Sequence, residues 1–422
     1  MAQKYVNQPA AQAAPAPAPA ESPADFFDHQ TGPFFRKVDL SAFWTAFIIT
    51  FAVYFYTMAP TVTLEDSGEL AVASDYLGVP HPPGYPIWTL LTWFFQWIFH
   101  WVHYYGTPDS NLMIVWKSVK ELFGGPTGYP NPAWSVGMCS AFFGAFACGL
   151  LSLLVSRSGA DMLRSMKSAT EVLGYRFENL ISWTSGVIGG LLFAFSSVLW
   201  SQSTIVEVYS LNAFFFVLLL VLVYRWMCRP HEDATLYIIA FTLGLGLTNH
   251  QALTFIIPGI AAAMWFRDRA LFRDTAAGVC WLITLYLIWT ARKIAPGSSP
   301  DAMHKQQTLY FVSMLFLAAP ALLFMIERKL MTEWKRFLIF VAAGVAGLAF
   351  YVYLPVASDQ NPPMNWGYPR TPEGFWHAFS RGQYEKIDPI ANFKDAMGRP
   401  SYAMRLLNAV LTNPDDYISV VA

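Results

Sequence analysis

Residues 86–105 read PIWTLLTWFFQWIFHWVHYY, and the way this stretch meets a membrane decides the topology of the whole chain. The stretch is long enough to cross a bilayer, since a transmembrane helix needs roughly 20 mostly apolar residues. However, Trp, Tyr and His side chains prefer the boundary between hydrocarbon and water, where the polar tip of each ring stays hydrated. We therefore interpret residues 87–104 as a helix that lies along the membrane surface.

The composition around this stretch predicts an all-α integral membrane protein. Of the 422 residues, 55% are hydrophobic and 13% are charged, whereas about 25% are charged in soluble domains. The formal net charge of -1 gives no basic excess that would favour nucleic acid as a partner. The four cysteines lie in apolar stretches and lack metal-ligand spacing, which favours a packing role. The predicted membrane spans are approximately residues 41–59, 133–156, 181–200, 208–228, 236–249, 251–266, 276–294, 307–326 and 336–354.

Basic residues set the orientation of these spans, because short cytoplasmic loops collect Lys and Arg. Five basic groups can share the cytoplasmic side only if 87–104 does not cross the membrane. The amino terminus is then cytoplasmic, and residues 60–132 form one large extracytoplasmic loop. The groups are Arg36/Lys37, Arg157/Arg164/Lys167/Arg176, Arg225/Arg229, Arg267/Arg269/Arg273 and Arg328/Lys329/Lys335/Arg336.

Composition also divides the chain into three parts. Residues 1–35 are rich in Ala and Pro, and we expect a disordered cytoplasmic tail. Residues 36–356 hold the predicted transmembrane domain, whose first span would act as an uncleaved signal anchor. Residues 357–422 turn polar and rich in Pro, Trp and Gly, which predicts an extracytoplasmic segment of a protein that continues beyond Ala422.

Acidic side chains stand at the outer end of the first predicted span. Glu65, Asp66 and Glu69 fall within five residues of one another, close to the membrane surface. Such groups must stay hydrated, pair with cations or take part in chemistry. Asp66 or Ser67 could also simply cap a short helix, and that structural role is compatible with catalysis.

A rigid turn follows these acids in the sequence His81-Pro-Pro-Gly-Tyr85-Pro. Proline fixes the backbone angle φ and glycine permits a turn, so His81 and Tyr85 would be held in place beside the acids. This arrangement is typical of a site. The alternative is a loop stiffened only to start the interfacial helix.

Three further segments bring polar side chains to the predicted outer ends of helices. An acid at a helix start can compensate the helix dipole, and adjacent polar groups in a turn can bond between helices. Aromatic and cationic side chains suit sugar faces and phosphate oxygens, or alternatively lipid headgroups. The candidates are Glu207 and Tyr209, Asn249 and His250, and Trp366, Arg370 and Arg381.

Four of these motifs occur in a recognisable order along the chain. They are EDSGELAVASDYLGVPHPPGYPIW from residue 65, VEVYSLNAFF from 206, LGLTNHQALTFIIPG from 245 and PPMNWGYPRTPEGFWHAFSRGQYE from 362. From about residue 41 to 390, the sequence resembles the bacterial branch of the transmembrane protein O-mannosyltransferase-like family. The resemblance implies a GT-C fold, a multi-helix transmembrane bundle with a large first extracytoplasmic loop that contains interfacial helices.

The resemblance also implies a reaction and its place. Such enzymes take a sugar, here mannose, from a polyprenyl phosphate and pass it to a hydroxyl group of an exported protein or a glycan. The expected location is the extracytoplasmic face of a bacterial inner membrane, in contact with membrane lipid. A divalent cation between the anionic donor and the acids is left open.

Roles for individual residues follow from the same resemblance. Asp66 would accept the proton from the attacking hydroxyl, with inversion at the anomeric carbon, and Glu69 would orient that hydroxyl. Donors around the leaving phosphate would stabilise it, and the sugar or the acceptor would need further polar contacts. The phosphate candidates are Arg370, Arg381, His81 and His250; the candidates for sugar or acceptor contacts are Glu207 and Tyr209, with Glu65, Tyr85, Asn249 and Trp366 also expected to contact substrate.

Two other classes of function remain open at this level. A transporter or flippase of lipid-linked substrates would need polar groups near the middle of the membrane and often carries internal repeats. A noncatalytic anchoring protein would use the aromatic loops for binding alone. In that case Asp66 could be replaced with little effect on function.

Overall fold

The computed structural model describes residues 33–105, 131–295, 297, 299–329 and 331–383. Across these residues the regular structure is entirely helical, apart from one isolated β-bridge between Val79 and Asn365. The α-helices are α1 Lys37–Thr57, α2 Ser67–Asp75, α3 Pro86–Tyr105, α4 Pro132–Ser165, α5 Lys167–Ala194, α6 Ser197–Ser203, α7 Tyr209–Cys228, α8 Asp233–Leu247, α9 Ile257–Arg267, α10 Arg269–Arg292, α11 Pro300–Glu327, α12 Trp334–Leu348, α13 Tyr353–Asp359 and α14 Pro372–Phe379. Short 3₁₀ helices cover Gln251–Ile256 and Ala349–Val352.

Several of these helices have the length and apolar composition of membrane spans. Among the described residues, five helical stretches qualify, and a sixth span results if the pair 176–194 and 197–203, bent by 68°, is counted as one. The five are α1, α4, α7, α10 and the continuous stretch 334–359. Each of the nine stretches predicted from sequence coincides with one helix or with two or three consecutive helices. The prediction of an all-α membrane protein is confirmed.

Small residues allow α4 and α5 to approach closely. A Cβ atom added to Gly190 would lie 2.8 Å from the carbonyl oxygen of Cys148, and one added to Gly186 would lie 2.7 Å from that of Ser152. Gly186 and Gly190 are four residues apart on α5, the spacing that brings two membrane helices into backbone contact. This contact fixes how α5 packs on α4.

At one end of the bundle, buried ion pairs join α1, α4 and α5. The guanidinium of Arg36 donates to Asp39 at 2.6 Å and to Glu178 at 2.9 Å. Ser156 donates its hydroxyl hydrogen to Asp39 at 2.7 Å, and Arg164 donates to Glu178 at 3.0 Å. Because a buried charge is costly without a partner, these bonds fix the register of the three helices.

The other basic groups of the sequence lie at this same end. Arg157 and Arg229 both stand over the ring of Phe34, at 4.9 and 5.5 Å from its centre. Arg336 donates to Asp233 and to Asp268, which joins the starts of α8, α10 and α12. We call this region the basic end. The expectation that the basic groups share one side agrees with these contacts.

Phe34 packs against the bundle although it belongs to the tail that the sequence predicts to be disordered. The expected disordered tail covers residues 1–35, and residues 1–32 lie outside the described part of the chain. Phe34, however, is buried between the two guanidinium groups. An aromatic ring in contact with two cations is stabilised by packing and by cation–π attraction, which an Ala/Pro-rich composition does not reveal.

The first long loop begins and ends at the end of the bundle opposite the basic groups. The side-chain amide of Asn131 donates to the carbonyl oxygen of Pro60 at 3.0 Å, so the two ends of the 60–132 segment meet. Within it, α3 packs on the first turns of α4, with the rings of Phe99 and Trp134 5.2 Å apart. Helix α3 is not among the five candidate spans. The interpretation of residues 87–104 as a helix that lies along the membrane surface stays a prediction.

The segment after α12 folds back onto this loop. The backbone N–H of Val79 donates to Met364 at 2.8 Å, and that of Trp366 donates to Val79 at 2.9 Å. The hydroxyl of Tyr353 donates to Gly78 at 2.8 Å. The predicted domain boundary at residues 356 and 357 therefore falls inside α13, within a packed segment. Residues 384–422 lie outside the described part of the chain.

The packing of α5 on α4 gives a matched pair of substitutions. Gly190→Ala should lower the free energy of unfolding by about 1–3 kcal/mol, since the new methyl group would overlap the backbone of Cys148. The change is measured as a lower melting temperature of the detergent-solubilised protein. Gly189→Ala is the control, because its new Cβ would meet the nearest atom, in Val155, at an ordinary 3.4 Å. Equal melting temperatures for the two variants would contradict this packing.

Candidate functional site

Asp66 stands at the start of α2 and keeps its carboxylate available. It occupies the N-cap position, but its side chain makes no capping hydrogen bond and is 57% exposed. Ser67 anchors the turn instead, since its hydroxyl donates to Leu64 or to Val206. The carboxylate of Asp66 lies 3.8 Å from Nε2 of His81. The simple capping role considered from sequence therefore does not account for Asp66.

Glu69, His81 and Tyr85 form a connected group next to Asp66. Oε1 of Glu69 accepts a hydrogen bond from the backbone N–H of His81 and lies 3.1 Å from its Nδ1. Nε2 of His81 shares a hydrogen bond of 2.8 Å with the hydroxyl of Tyr85. Gly84, at φ +85°, turns the chain so that both rings come together. The rigid turn predicted from sequence thus presents His81 to the acids.

His250 lies in the turn between α8 and the following 3₁₀ helix and adds its ring to this group. The ring of His250 lies parallel to that of Tyr85, with centres 6.3 Å apart, and 5.4 Å from the ring of Tyr209. Nδ1 of His250 accepts a hydrogen bond from the backbone N–H of Ala252. Burial lowers the pKa of His250 to about 4, helped by the charges of Arg381 and His81. Near neutral pH His250 is therefore uncharged, with its remaining N–H on Nε2.

Glu207 is held in a buried loop between α6 and α7. Its backbone carbonyl accepts hydrogen bonds from Nε1 of Trp88 and from the hydroxyl of Ser140, each at 3.2 Å. The next carbonyl, that of Val208, accepts from the side-chain amide of Asn249 at 3.2 Å. These bonds fix the loop against α3, α4 and the α8 turn. Asn249 thus has the structural role considered for it from sequence.

The electrostatics of the site differ from residue to residue. Burial raises the pKa of Glu207 to about 7; the Val208 N–H and His81 oppose this, and the charges of Glu65 and Asp66 add to it. For His81, burial acts against the charged form, but the hydrogen bond and charge of Glu69, with Asp66 and Glu207, raise the pKa overall. His81 therefore keeps its proton to higher pH than an ordinary histidine.

Of the three late-segment candidates, Arg381 comes close to this group. Its charge contributes to the lowered pKa of His250, and Gln251 donates a hydrogen bond to Phe379 two residues before it. Arg370 instead lies over the exposed ring of Tyr368, 5.5 Å from its centre. The backbone of Trp366 is bonded to Val79, while the residue as a whole remains 43% exposed.

Asp66, Glu69 and His81 also bring possible metal ligands together. One ligand atom from each lies within 4.8 Å of the other two. However, both nitrogens of His81 already face partners, Glu69 and the hydroxyl of Tyr85. A histidine that ligates a metal keeps one nitrogen for the ion, so His81 could do so only by losing one of these contacts. The geometry fits a hydrogen-bonded group better than a three-ligand metal site.

Sequence reasoning missed the residues that hold Glu207 in place. Trp88 and Ser140 lie inside apolar stretches, where a tryptophan or a small hydroxyl residue is ordinary packing. The only signal was the presence of a polar atom that would need a partner after burial. Which carbonyl it would find depends on how α3 and α4 meet the 204–208 loop.

Comparison with known proteins shows which proteins this chain resembles. The family profile described as the Protein O-mannosyl-transferase TMEM260 N-terminal domain matches residues 66–108 and 108–272. The Protein O-mannosyl-transferase TMEM260 of Mus musculus is 29% identical over 243 residues, which is 57% of this chain and 27% of that protein. The Protein O-mannosyl-transferase tmem260 of Dictyostelium discoideum is 26% identical over 242 residues, 54% of this chain and 24% of that protein.

These matches cover only part of the relatives and most of the candidate site. The chain spans about a quarter of the length of these two curated relatives. No solved structure matches it significantly. The matched region contains Asp66, Glu69, His81, Glu207 and His250, whereas Arg381 lies beyond it.

The buried carboxyl group of Glu207 predicts a pH-dependent stability. With its pKa raised from 4.5 to about 7, the protonated side chain stabilises the fold below pH about 4.5, and this contribution is lost as pH rises through about 7. The melting temperature of the wild type should therefore fall relative to Glu207→Gln between pH 5 and pH 8. Over this pH range, the free energy of unfolding of the wild type should fall relative to that of Glu207→Gln by an amount on the order of 3 kcal/mol. Parallel curves for the two proteins would contradict the burial of Glu207.

Proposed function

Because residues 66–272 match the profile of an O-mannosyltransferase family and resemble two of its curated proteins, we propose that the protein is a membrane glycosyltransferase of the GT-C type. It transfers mannose from a polyprenyl phosphate to a Ser or Thr hydroxyl group of an exported protein. The observation that supports this proposal most directly is the exposed carboxylate of Asp66, 3.8 Å from a His81 imidazole that Glu69 and Tyr85 hold in place.

In the proposed reaction, Asp66 acts as the general base. The acceptor oxygen attacks the anomeric carbon while the bond from that carbon to the phosphate oxygen breaks, and the configuration inverts. The proton of the acceptor hydroxyl goes to Asp66, and the phosphate leaves with the bonding electron pair. A positioned base contributes about 10²- to 10⁴-fold in rate. The leaving group is already a stable anion, so the reaction needs no general acid.

Glu69 and His81 act in this proposal by positioning Asp66 rather than by touching the acceptor. Both the backbone N–H of His81 and its Nδ1 are bonded to Glu69, so Glu69 is occupied. The raised pKa of His81 favours its charged form beside Asp66. A cation there attracts the carboxylate and limits its orientations. Glu69 is therefore a positioning residue in this reaction, not the orienting group for the acceptor that the sequence suggested.

The leaving phosphate is assigned to Arg381 and His250. The charges of Arg381 and His81 add to the effect of burial on the pKa of His250, and His250 is uncharged near neutral pH with an N–H on Nε2. A guanidinium and a neutral N–H both donate to phosphate oxygens. Arg370 has weaker support, because its guanidinium lies over Tyr368. Contacts to the sugar hydroxyls or to the acceptor are assigned to Glu207 and Tyr209, which border the same group.

The site faces the extracytoplasmic side of a bacterial inner membrane in this proposal. The basic end collects the Arg groups that the positive-inside rule assigns to the cytoplasm, and the acidic site lies at the ends of the helices away from it. The amino terminus is then cytoplasmic. This orientation suits an acceptor that has already crossed the membrane.

The base assignment predicts the effect of removing one charge. In membranes with matched protein levels, Asp66→Asn should lower mannose transfer from polyprenyl-phosphate mannose to endogenous acceptors by at least about 10²-fold. Asp359→Asn, an exposed residue at the end of α13, is the control and should transfer at the wild-type rate.

Other results would point elsewhere. Transfer by a folded Asp66→Asn protein at the wild-type rate would remove Asp66 from catalysis. If the wild type itself transfers no mannose, the donor assignment fails, and transport of a lipid-linked substrate or a noncatalytic anchoring role becomes the better hypothesis.

The hydrogen bonds of His81 predict a reaction that does not depend on a divalent cation. Transfer by the wild type should be unchanged after treatment with excess EDTA, since both His81 nitrogens already have partners. The measurement is the transfer rate before treatment, after EDTA and after added Mg²⁺ or Mn²⁺. Loss of transfer that either ion restores would instead favour metal ligation by Asp66 and Glu69.

A further inference from the structure

Leu64 is an apolar side chain that stands almost fully in the open, two residues before Asp66. It is 87% exposed, the largest value among the large apolar residues that the structure describes. The next three, Phe266, Leu192 and Phe255, lie in apolar helices, whose exposed faces lipid chains can cover. Leu64 instead lies in the loop between α1 and α2, outside any helix. Its exposure therefore has a different cause.

The hydrocarbon of the membrane is a poor partner for Leu64, because two carboxylates follow it in the chain. Glu65 is exposed, and the side chain of Asp66 is 57% exposed. Insertion of Leu64 into lipid would carry both charges toward the hydrocarbon, which strongly disfavours a carboxylate. A partner that covers Leu64 must therefore accept negative charge beside it.

The loop that carries Leu64 is held at several points. The backbone N–H of Ala59 donates to the carbonyl oxygen of Thr204 at 2.8 Å. The hydroxyl oxygens of Thr63 and Ser67 share a hydrogen bond of 2.8 Å, and the carbonyl oxygen of Leu64 lies 3.2 Å from the hydroxyl of Ser67. Because the backbone is fixed on both sides of Leu64, little conformational entropy is lost when a partner covers it.

Glu65 occupies a backbone conformation that favours glycine. Its φ is +67°, in the left-handed region, which a residue with a Cβ atom adopts at a cost. Glycine would adopt the same turn without that cost. Among the residues that the structure describes, its carboxylate has no hydrogen-bond or ion-pair partner. This carboxylate is therefore available to a cationic group of a partner.

The separation of Leu64 and Asp66 defines where such a partner would carry its apolar group. Two residues of chain span at most about 7 Å. If Asp66 takes the proton from an acceptor hydroxyl group, the acceptor residue lies at its carboxylate. In an extended acceptor segment, which has the same length per residue, the side chain that covers Leu64 then lies within about two residues of the acceptor.

We propose that Leu64 and Glu65 select the acceptor. The preferred acceptor is an extended segment of an exported protein, with a large apolar side chain within two residues of the acceptor Ser or Thr and a Lys or Arg near it. Leu64 packs against the apolar side chain, and Glu65 attracts the cation. This inference rests on the proposed function for the role of Asp66. It adds a sequence preference to a reaction that otherwise requires only a hydroxyl group.

The test is binding of short synthetic peptides to the purified full chain, measured by fluorescence anisotropy. The first peptide has one Thr, with Leu at the second position on either side and Lys beside each Leu. In the second peptide Ser replaces both Leu residues, and in the third Gln replaces both Lys residues. Because burial of a leucine side chain is favourable, the wild type should bind the first peptide at least about tenfold more tightly than the second.

Leu64→Ser should remove this preference. The affinity for the first peptide should fall about tenfold, and the affinity for the second should stay unchanged, whereas loss of a merely structural leucine would weaken both equally. Leu64→Met keeps an apolar side chain and should restore most of the preference. Tyr76→Ser is the matched control, since it removes a side chain that is 58% exposed just after α2 and should bind both peptides as the wild type does.

Glu65→Gln removes the charge and keeps the shape of the side chain. The wild type should bind the first peptide about two- to fivefold more tightly than the third at low salt, and less so at high salt. Glu65→Gln should bind the two peptides equally. An unchanged preference for Lys in this variant would remove Glu65 from the inference.

Three outcomes would overturn the role of Leu64. The first is a wild type that binds the first two peptides equally, or binds neither. The second is an unchanged preference in Leu64→Ser. The third is contact with lipid: a fluorescent label on Leu64→Cys, in nanodiscs without peptide, is quenched by lipids spin-labelled along the acyl chain. The wild type treated with the same label gives the background from its natural cysteines.

Failure of this inference can be distinguished from failure of the proposed function. If peptide binding depends on Leu64 but the wild type transfers no mannose, the recognition role stands and the proposed transferase activity fails. If the wild type transfers mannose to the first two peptides at equal rates, the activity stands and the role of Leu64 fails.

Discussion

A charged side chain inside a helix bundle surrounded by lipid needs a partner or access to water, and this requirement organises the protein around two polar ends. At the basic end, Asp39 and Glu178 are buried against Arg36 and Arg164, and these pairs hold α1, α4 and α5 in register. The carboxylates at the other end have few basic partners. They rely instead on His81, on backbone N–H groups and on exposure. The first end is consequently suited to structure, whereas at the second end the carboxylate of Asp66 stays exposed.

The candidate site depends on contacts between regions far apart in the chain. The turn from His81 to Tyr85 is fixed from one side by Glu69 and from the other by the late segment, where Leu354 packs against Gly84 and Met364 bonds to Val79. Such double support limits the conformations of His81, so the reaction proposed for this site would need little ordering of that residue. A change near residue 354 or 364 could therefore affect the site without touching a substrate.

The sequence by itself determined the helices, the membrane class and most of the candidate residues, because apolar run length, basic-residue placement and the order of the four motifs are local properties of the chain. It also indicated that 87–104 stays on one side. Only the tertiary structure decided that Asp66 is not used for capping, that Glu69 is occupied by His81, and that Arg381 rather than Arg370 approaches His250. It alone revealed the support of Glu207 by Trp88 and Ser140. These features depend on which side chains meet across separate helices, and the pattern of residues along one helix does not specify its neighbours.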